Sequence, residues 1–234
     1  MPDAQAVDHR TRVAAARRQR MRRRLLESAM IVFAQKGIAS SVIQDIVAAA
    51  EVSQGSFYNY FRTSDDLFEA LALELSDEFL QLIESVIGDI EDPGQRVATG
   101  IRAYLFLSRS YKVVGQFIAL AGFRLANLDS SISRFLPRDL KAGQQSGTFK
   151  LMPMDMVMDL IIGTMLMAIH RIVTGQTPED YPEAVASLLL QALGVNATDA
   201  DRLLALPLPT LVVPEGSLFG CAEARFSSLS PTLP

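Results

Sequence analysis

Between Ser53 and Tyr60 the chain reads S-Q-G-S-F-Y-N-Y, a run of hydroxyl, amide and phenol groups interrupted by one apolar side chain, Phe57. Such groups hydrogen-bond to phosphate oxygens and base edges, and an asparagine can offer a donor and an acceptor to adenine at once. On a helix Phe57 and Phe61 share a face at a spacing of four, which turns Tyr58 and Asn59 the other way. The chemistry is recognition rather than bond making. For catalysis there are two histidines, His9 and His170, one cysteine, Cys221, and no G-x-S-x-G, phosphate loop, H-E-x-x-H or paired-cysteine pattern. Asp159, Gly163 and His170 fall on one helical stripe, where a carboxylate and an imidazole could share a cavity or a seam. A hydrogen-bonded histidine at a partly exposed helix end is the simpler reading. No catalytic residue, metal or cofactor is expected.

These polar groups need a scaffold. Ile43, Ile46, Val47 and Ala50 recur at i, i+3, i+4 and i+7, one face of a helix. Ser41 with Gln44 forms a capping box at its start. The helix should run from near Val42 to about Glu51, and after three residues Ser53 caps a second, short helix. A helix so short is held only by its neighbours, and two helices joined this way present the second to a DNA major groove. Gly55, in its first turn, costs about 1 kcal/mol against alanine. Close approach of a phosphate to backbone N–H groups there would compensate.

The overall charge is −4, but residues 1–24 carry eight arginines against two aspartates, which is +6 and leaves −10 for the rest. A basic arm on an acidic body suits a chain whose one end meets phosphate. A solvated tail without a partner would show the same composition, and the adjoining helix pair favours the DNA reading.

The pattern S-x-x-x-D-I-x-x-x-A-x-V-S-x-G-S-F-Y-x-Y-F, followed by a capped helix with D-D-L, resembles the DNA-binding domain of tetracycline-repressor (TetR) family regulators over roughly residues 20 to 70. Two positions depart from the family. Glu51 stands where the turn usually has glycine, so a non-glycine residue must adopt a left-handed conformation at about 1 kcal/mol. Ser64 stands where a lysine often touches phosphate. The resemblance and the residue reading together give Arg23, Ser41, Val42, Ser53, Gln54, Gly55, Ser56, Tyr58, Asn59, Tyr60 and Ser64 as the DNA-facing set.

The rest of the chain reads as all-α, with no segment alternating at period two over strand length. Leu25, Leu26, Ala29, Met30, Val32 and Phe33 mark a helix ending at Lys36-Gly37. A long helix follows from Ser64 to Ile90, and another starts at Asp92-Pro93, aspartate as cap and proline at the first position. Further helices are expected over 113–125, 131–145, 155–174 and 182–193, with one or two turns over 201–206. The organisation is a basic arm (1–19), a helix-turn-helix domain (20–66), a helical effector-binding and dimerisation domain (67–206) and a tail (207–234). Five of the eleven prolines lie in that last segment, so it is expected to be irregular. The longest apolar run, Leu160 to Ile169, falls short of a membrane span. That, the lone cysteine and the lack of a signal peptide suit a cytoplasmic protein without a membrane partner.

The helix over 155–174 is apolar nearly all round, so it must be covered on more than one side. The resemblance implies that it and the helix over 182–193 pair with a second subunit, with Met165, Ile169, Val185, Leu188, Leu189 and Ala192 at the interface. A monomer core using this surface internally is the other reading. Six of nine methionines lie between Met152 and Met167, and flexible methionine suits a pocket for apolar molecules. The resemblance implies such a pocket. Tyr104, Phe106, Phe117, Phe123, Met158, Met165 and His170 are its expected lining, with Tyr111 nearby. The expected function is a dimeric repressor on a palindromic double-stranded DNA site, released by a small apolar or amphipathic effector. A regulator of the same build without an effector, and an all-α carrier or enzyme, are the alternatives.

Overall fold

The computed structural model describes residues 4–37, 42–126, 132–175 and 177–229, and among these it contains twelve helices and no strand. They divide into two compact units, 1–71 and 72–234.

In the first unit, α1 (Ala4–Lys36) is a single 33-residue helix. The arginine-rich arm is therefore a helical extension of the segment that packs. Residues 12–20 are exposed, whereas Leu25, Leu26, Ala29, Met30 and Phe33 are completely buried. Burial at about 1.5–3 kcal/mol for each large side chain anchors the C-terminal half of the helix. Gly37 (φ 86°) ends it, its N–H reaching the Phe33 carbonyl at 2.9 Å. In α2 (Ile43–Ala49) the inward face is Val42, Ile46 and Ala50, with Ile43 and Val47 half-buried at its margins. α3 (Gln54–Tyr58) buries Phe57. Phe33 meets Phe68 edge to face at 6.0 Å. Phe68 belongs to α4 (Ser64–Ile87), whose first turn is capped by Thr63: its Oγ1 accepts the Asp66 N–H, and the Asp66 carboxylate accepts the Arg62 N–H.

The second unit begins within α4, which ends at Ile87, one turn short of the expected Ile90. It continues with α5 (Pro93–Ser110), α6 (Lys112–Ala121), α7 (Phe123–Ala126), α8 (Ile132–Gln145), α9 (Met154–Val173), α10 (Tyr181–Ala192), α11 (Ala197–Leu204) and α12 (Leu218–Leu229). Asp92 caps α5 as expected, its Oδ1 accepting the Gln95 N–H at 2.6 Å. α5 is central and packs on α6, α8, α9, α10 and α11. At Gly115 a Cβ would lie 2.4 Å from the Ser108 carbonyl and 2.7 Å from Val173, so only glycine lets α6 sit this close to α5 and α9. Gly122 (φ 50°) separates α6 from α7. The expected break at Asn127-Leu128-Asp129 lies outside the described residues.

Two expectations fail here. α11 starts at Ala197, four residues before the expected turn, because Asn196 caps it by accepting the Asp199 N–H. Residues 207–234 are not simply irregular, since α12 occupies 218–229. Leu218, Phe219 and Ala222 are buried, and the Phe219 ring meets Phe79 at 5.0 Å and Tyr111 at 4.9 Å. Glu78 accepts the Leu218 N–H, and Glu223 accepts the Val113 N–H at 2.9 Å. Two of that segment's prolines, at 207 and 209, stand well before this helix, and proline density over the whole segment concealed it.

By length and composition α9 could cross a membrane, with a mean hydropathy of 1.7 over 18 residues. Val157, Ile161, Ala168, Ile169 and Ile172 are buried. Met156 (62%), Leu160 (38%) and Met167 (56%) are exposed, so this chain covers only one side of the helix.

Candidate nucleic-acid interface and an apolar cavity

The α2–α3 turn is built from caps. The Val52 N–H bonds to the Val47 carbonyl and the Glu51 N–H to that of Ala48, a Schellman closure that places Glu51 at φ 50°, the only positive φ at a non-glycine among the described residues. The departure read in the sequence is thus present as the left-handed residue it required. Its carboxylate pairs with the Arg24 guanidinium of α1 at 2.5 Å, a surface contact worth no more than about 1 kcal/mol. Spacing could not have disclosed this pair, since the partners are 27 residues apart. Ser53 then caps α3: its Oγ accepts the Ser56 N–H at 3.1 Å and lies 2.9 Å from Ser56 Oγ.

α3 consequently offers a defined outer face. Phe57 is fully buried and Phe61 nearly so, while Tyr58 is 50% exposed and its ring stands edge-on to Phe57 at 5.4 Å. Ser53, Gln54, Gly55 and Asn59 are exposed; Ser56, Tyr60 and Ser64 are partly so. Arg23 is held by Glu27 at 3.4 Å, and Arg22 lies over the Phe61 ring. The side chain of Val42 belongs to the core, at 2% exposure. It caps the buried end of the α2 face and cannot reach DNA; only its backbone could. Ser41, and with it the capping box, lies outside the described residues.

The second unit contains a partly open cavity of about 150 Å³ between the later turns of α4 and α5 to α9. Its wall is mainly aliphatic, with Leu80, Ile83, Ile101, Ile161 and Leu166 among the lining residues. Tyr104 and Met165, expected there, are on the wall. Phe106, Phe123 (70% exposed) and His170 face outward, Phe117 is buried in the core, and Met158 is half-buried but does not line the cavity. Aromatic composition identified the right helices but not which sides of them turn inward. Burial pushes the Tyr104 phenol up to about 12, so it stays protonated at neutral pH. At one end Arg96 contacts Glu84 and Asp139, and Arg138 reaches the same two carboxylates at 3.0 and 2.8 Å.

Of the expected interface residues, Ile169 and Leu189 are 1% exposed and Val185 is buried too, so their side chains are already packed within this chain. The inward stripe of α10 runs through Val185, Leu189 and Leu190, a small rotation from the one expected. Met165 lines the cavity. Leu188 (62%) and Ala192 remain exposed, together with Met156, Leu160 and Met167 of α9. A shallow groove between the two helices is lined by Gly163, Thr164, Met167, Tyr181, Ala184 and Leu188.

An all-helical chain with a capped helix-turn-helix ahead of a larger helical unit defines the class. Residues 25–71 match the family model for bacterial regulatory proteins of the tetR family, and residues 92–205 match a tetracyclin repressor-like C-terminal domain. The chain belongs to the TetR family. It is 36% identical over 76 residues to the HTH-type transcriptional repressor DhaR of Mycobacterium sp. (strain GP1), covering 32% of this chain and 38% of DhaR. To the HTH-type transcriptional regulator AcrR of Shigella flexneri it is 34% identical over 73 residues, 31% of this chain and 30% of AcrR. The match thus spans less than half the length of either. The fold is similar to that of RolR in complex with resorcinol, with a TM-score of 0.66 at 24% identity over 85% of this chain and 100% of RolR. DhaR and AcrR are transcriptional regulators, not enzymes.

Proposed function

We propose that the protein is a homodimeric, sequence-specific repressor that releases its DNA site when a small molecule fills the cavity. The observation that carries this reading is α3. A five-residue helix cannot persist alone, yet buried Phe57 and its Ser53 cap hold it so that Tyr58 and Asn59 point outward. Asn59 and Tyr58 read base edges, while Ser53, Gln54, Ser56, Tyr60, Ser64 and the arginines of α1 meet phosphates. The exposed apolar face of α9 and α10 supports pairing with a second copy, and a dimer matches a palindrome with half-sites about one DNA turn apart, near 34 Å. Covering that face in a dimer, in a protein that works beside DNA in the cytoplasm, accounts for the hydropathy of α9 without a membrane.

The cavity favours ligand response over a regulator without an effector, and RolR was solved with resorcinol bound. α4 supplies Leu67 and Leu71 to the core of the first unit and Ser76 to Ile87 to the cavity wall as one uninterrupted helix. A ligand that favours a shifted α4 by about 1–3 kcal/mol weakens DNA binding about 5- to 150-fold, and DNA weakens ligand binding equally.

The test begins with a duplex selected from a randomised pool by binding to the purified chain. Asn59→Ala should lose about 1–3 kcal/mol on that duplex and little on random DNA. If no duplex is enriched, or if the loss is equal on both, sequence-specific reading by α3 is refuted.

A further inference from the structure

The cavity wall restricts what can enter it. At about 150 Å³ the space is that of one small ring; a cavity of this size lined by aliphatic side chains holds a benzene molecule. Arg96 is the only cation among the lining residues, and its guanidinium is fully engaged. Nη1 donates to the carbonyls of Ile87, Gly88 and Ile90 at 2.6, 3.1 and 3.4 Å, Nη2 to Glu84 and Asp139, and Nε faces Asp139 at 3.2 Å. With Arg138 the group comprises two guanidiniums and two carboxylates in mutual contact. A ligand anion would have to take Arg96 from these partners and would then confront Glu84 and Asp139. A ligand cation would have to displace a guanidinium. Either insertion breaks a compensated network.

One polar atom just behind the wall is uncompensated. Ser76 Oγ, on α4, is buried and has no hydrogen-bond partner, the one such side-chain atom among the described residues. It does not turn back onto its own helix, as a serine there commonly does. Native folds seldom leave such a group without a partner. Tyr104, on the wall, stays protonated and adds a second neutral hydroxyl.

We infer that the cavity binds an uncharged single-ring molecule carrying a hydroxyl group, with the ring against the aliphatic wall and the hydroxyl bonded to Ser76 Oγ once that side chain has rotated about χ1 toward the cavity. The regulatory meaning of this site rests on the effector reading above, but the binding itself does not.

Titration calorimetry on the full chain with phenol, toluene and benzoate tests the inference. Phenol should bind about five- to tenfold tighter than toluene, the margin of one hydrogen bond. Benzoate should show no binding at concentrations that saturate with phenol. Ser76→Ala should bring phenol down to the affinity of toluene while melting no lower than wild type, because it removes an unpaired hydroxyl. Gly100→Leu should abolish binding of both rings: Gly100 lines the cavity, and a Cβ there meets only Ile87 Cδ1, at 3.9 Å, an ordinary contact from which the longer side chain enters the space a ring would take. Absence of phenol binding, benzoate binding as tightly as phenol, an unchanged phenol-to-toluene ratio in Ser76→Ala, or retained binding in Gly100→Leu would each overturn the inference. Phenol binding as described without release of the selected duplex would instead sink the effector reading and leave the ligand class standing. Release by benzoate but not by phenol would do the reverse.

Discussion

Gly55→Ala separates what the fold needs from what DNA needs. A Cβ at this position would meet only Ser53 Oγ, at 3.9 Å, an ordinary van der Waals distance, and Gly55 is not among the glycines with positive φ. Nothing inside the molecule therefore asks for glycine. Alanine is favoured over glycine in a helix by at most about 1 kcal/mol, so the variant should melt about 2–4 °C higher, as expected for a chain of this size. If the position is kept bare for a phosphate oxygen seated on the α3 amides, the added methyl displaces it. A charge-assisted hydrogen bond is worth about 1.5–3 kcal/mol, which corresponds to about a 10- to 150-fold loss of DNA affinity. A phosphate contact carries no sequence information, so fluorescence anisotropy at fixed salt should show the same loss on selected and random duplexes, unlike Asn59→Ala. A higher melting temperature with unchanged DNA affinity would refute the reasoning. A lower melting temperature would place the need for glycine inside the fold.

Leu188→Glu should split the dimer in sedimentation velocity while leaving helix content intact, because that side chain is exposed in one chain; Leu189→Glu should instead unfold the protein, its position being buried. A folded dimer of Leu188→Glu would move the interface elsewhere. Deleting residues 1–19 removes four of the eight arginines in residues 1–24. It should flatten the dependence of log K on log salt by about 0.9 for each phosphate that the arm no longer neutralises, and an unchanged slope would make the arm a bystander. Tyr104 titrates near 12 when folded and near 10 when unfolded. Its neutral form favours the fold below pH 10, and this advantage is lost between pH 10 and 12, by at most about 3 kcal/mol. Tyr104→Phe should unfold less steeply with pH in that window by circular dichroism; identical profiles would show that Tyr104 is not the group responsible.

Where the chain announces itself by local chemistry, sequence and structure agree closely. Ser53 as cap, Gly37 as helix stop, Asp92-Pro93 as helix start and Glu51 as a forced left-handed residue each follow from one or two neighbours. The readings that failed depend on which side of a helix meets what. Leu188 and Leu189 are adjacent and equally apolar, yet one is exposed and the other buried, because the rotation of α10 is decided by its packing on α5, α11 and α9. Phe106 and Tyr104 differ in the same way on α5. No periodicity within α4 could show that Ser76 Oγ would be enclosed without a partner, since that requires helices arriving from residues 93 to 173.

The packing of α12 also bears on how the protein is made. The bonds of the Leu218 N–H to Glu78 and of the Val113 N–H to Glu223 join residues 140 and 110 apart, and Phe219 supports Phe79, itself on the cavity wall. The first unit is built from residues 1–71 alone, so it can assemble early in translation, whereas closure of such distant pairs waits for the whole intervening chain. A nascent chain stopped before residue 218 would thus carry a finished first unit and a second unit whose cavity wall lacks its backing. On the effector reading proposed above, a chain released there would occupy DNA but answer a small molecule more slowly.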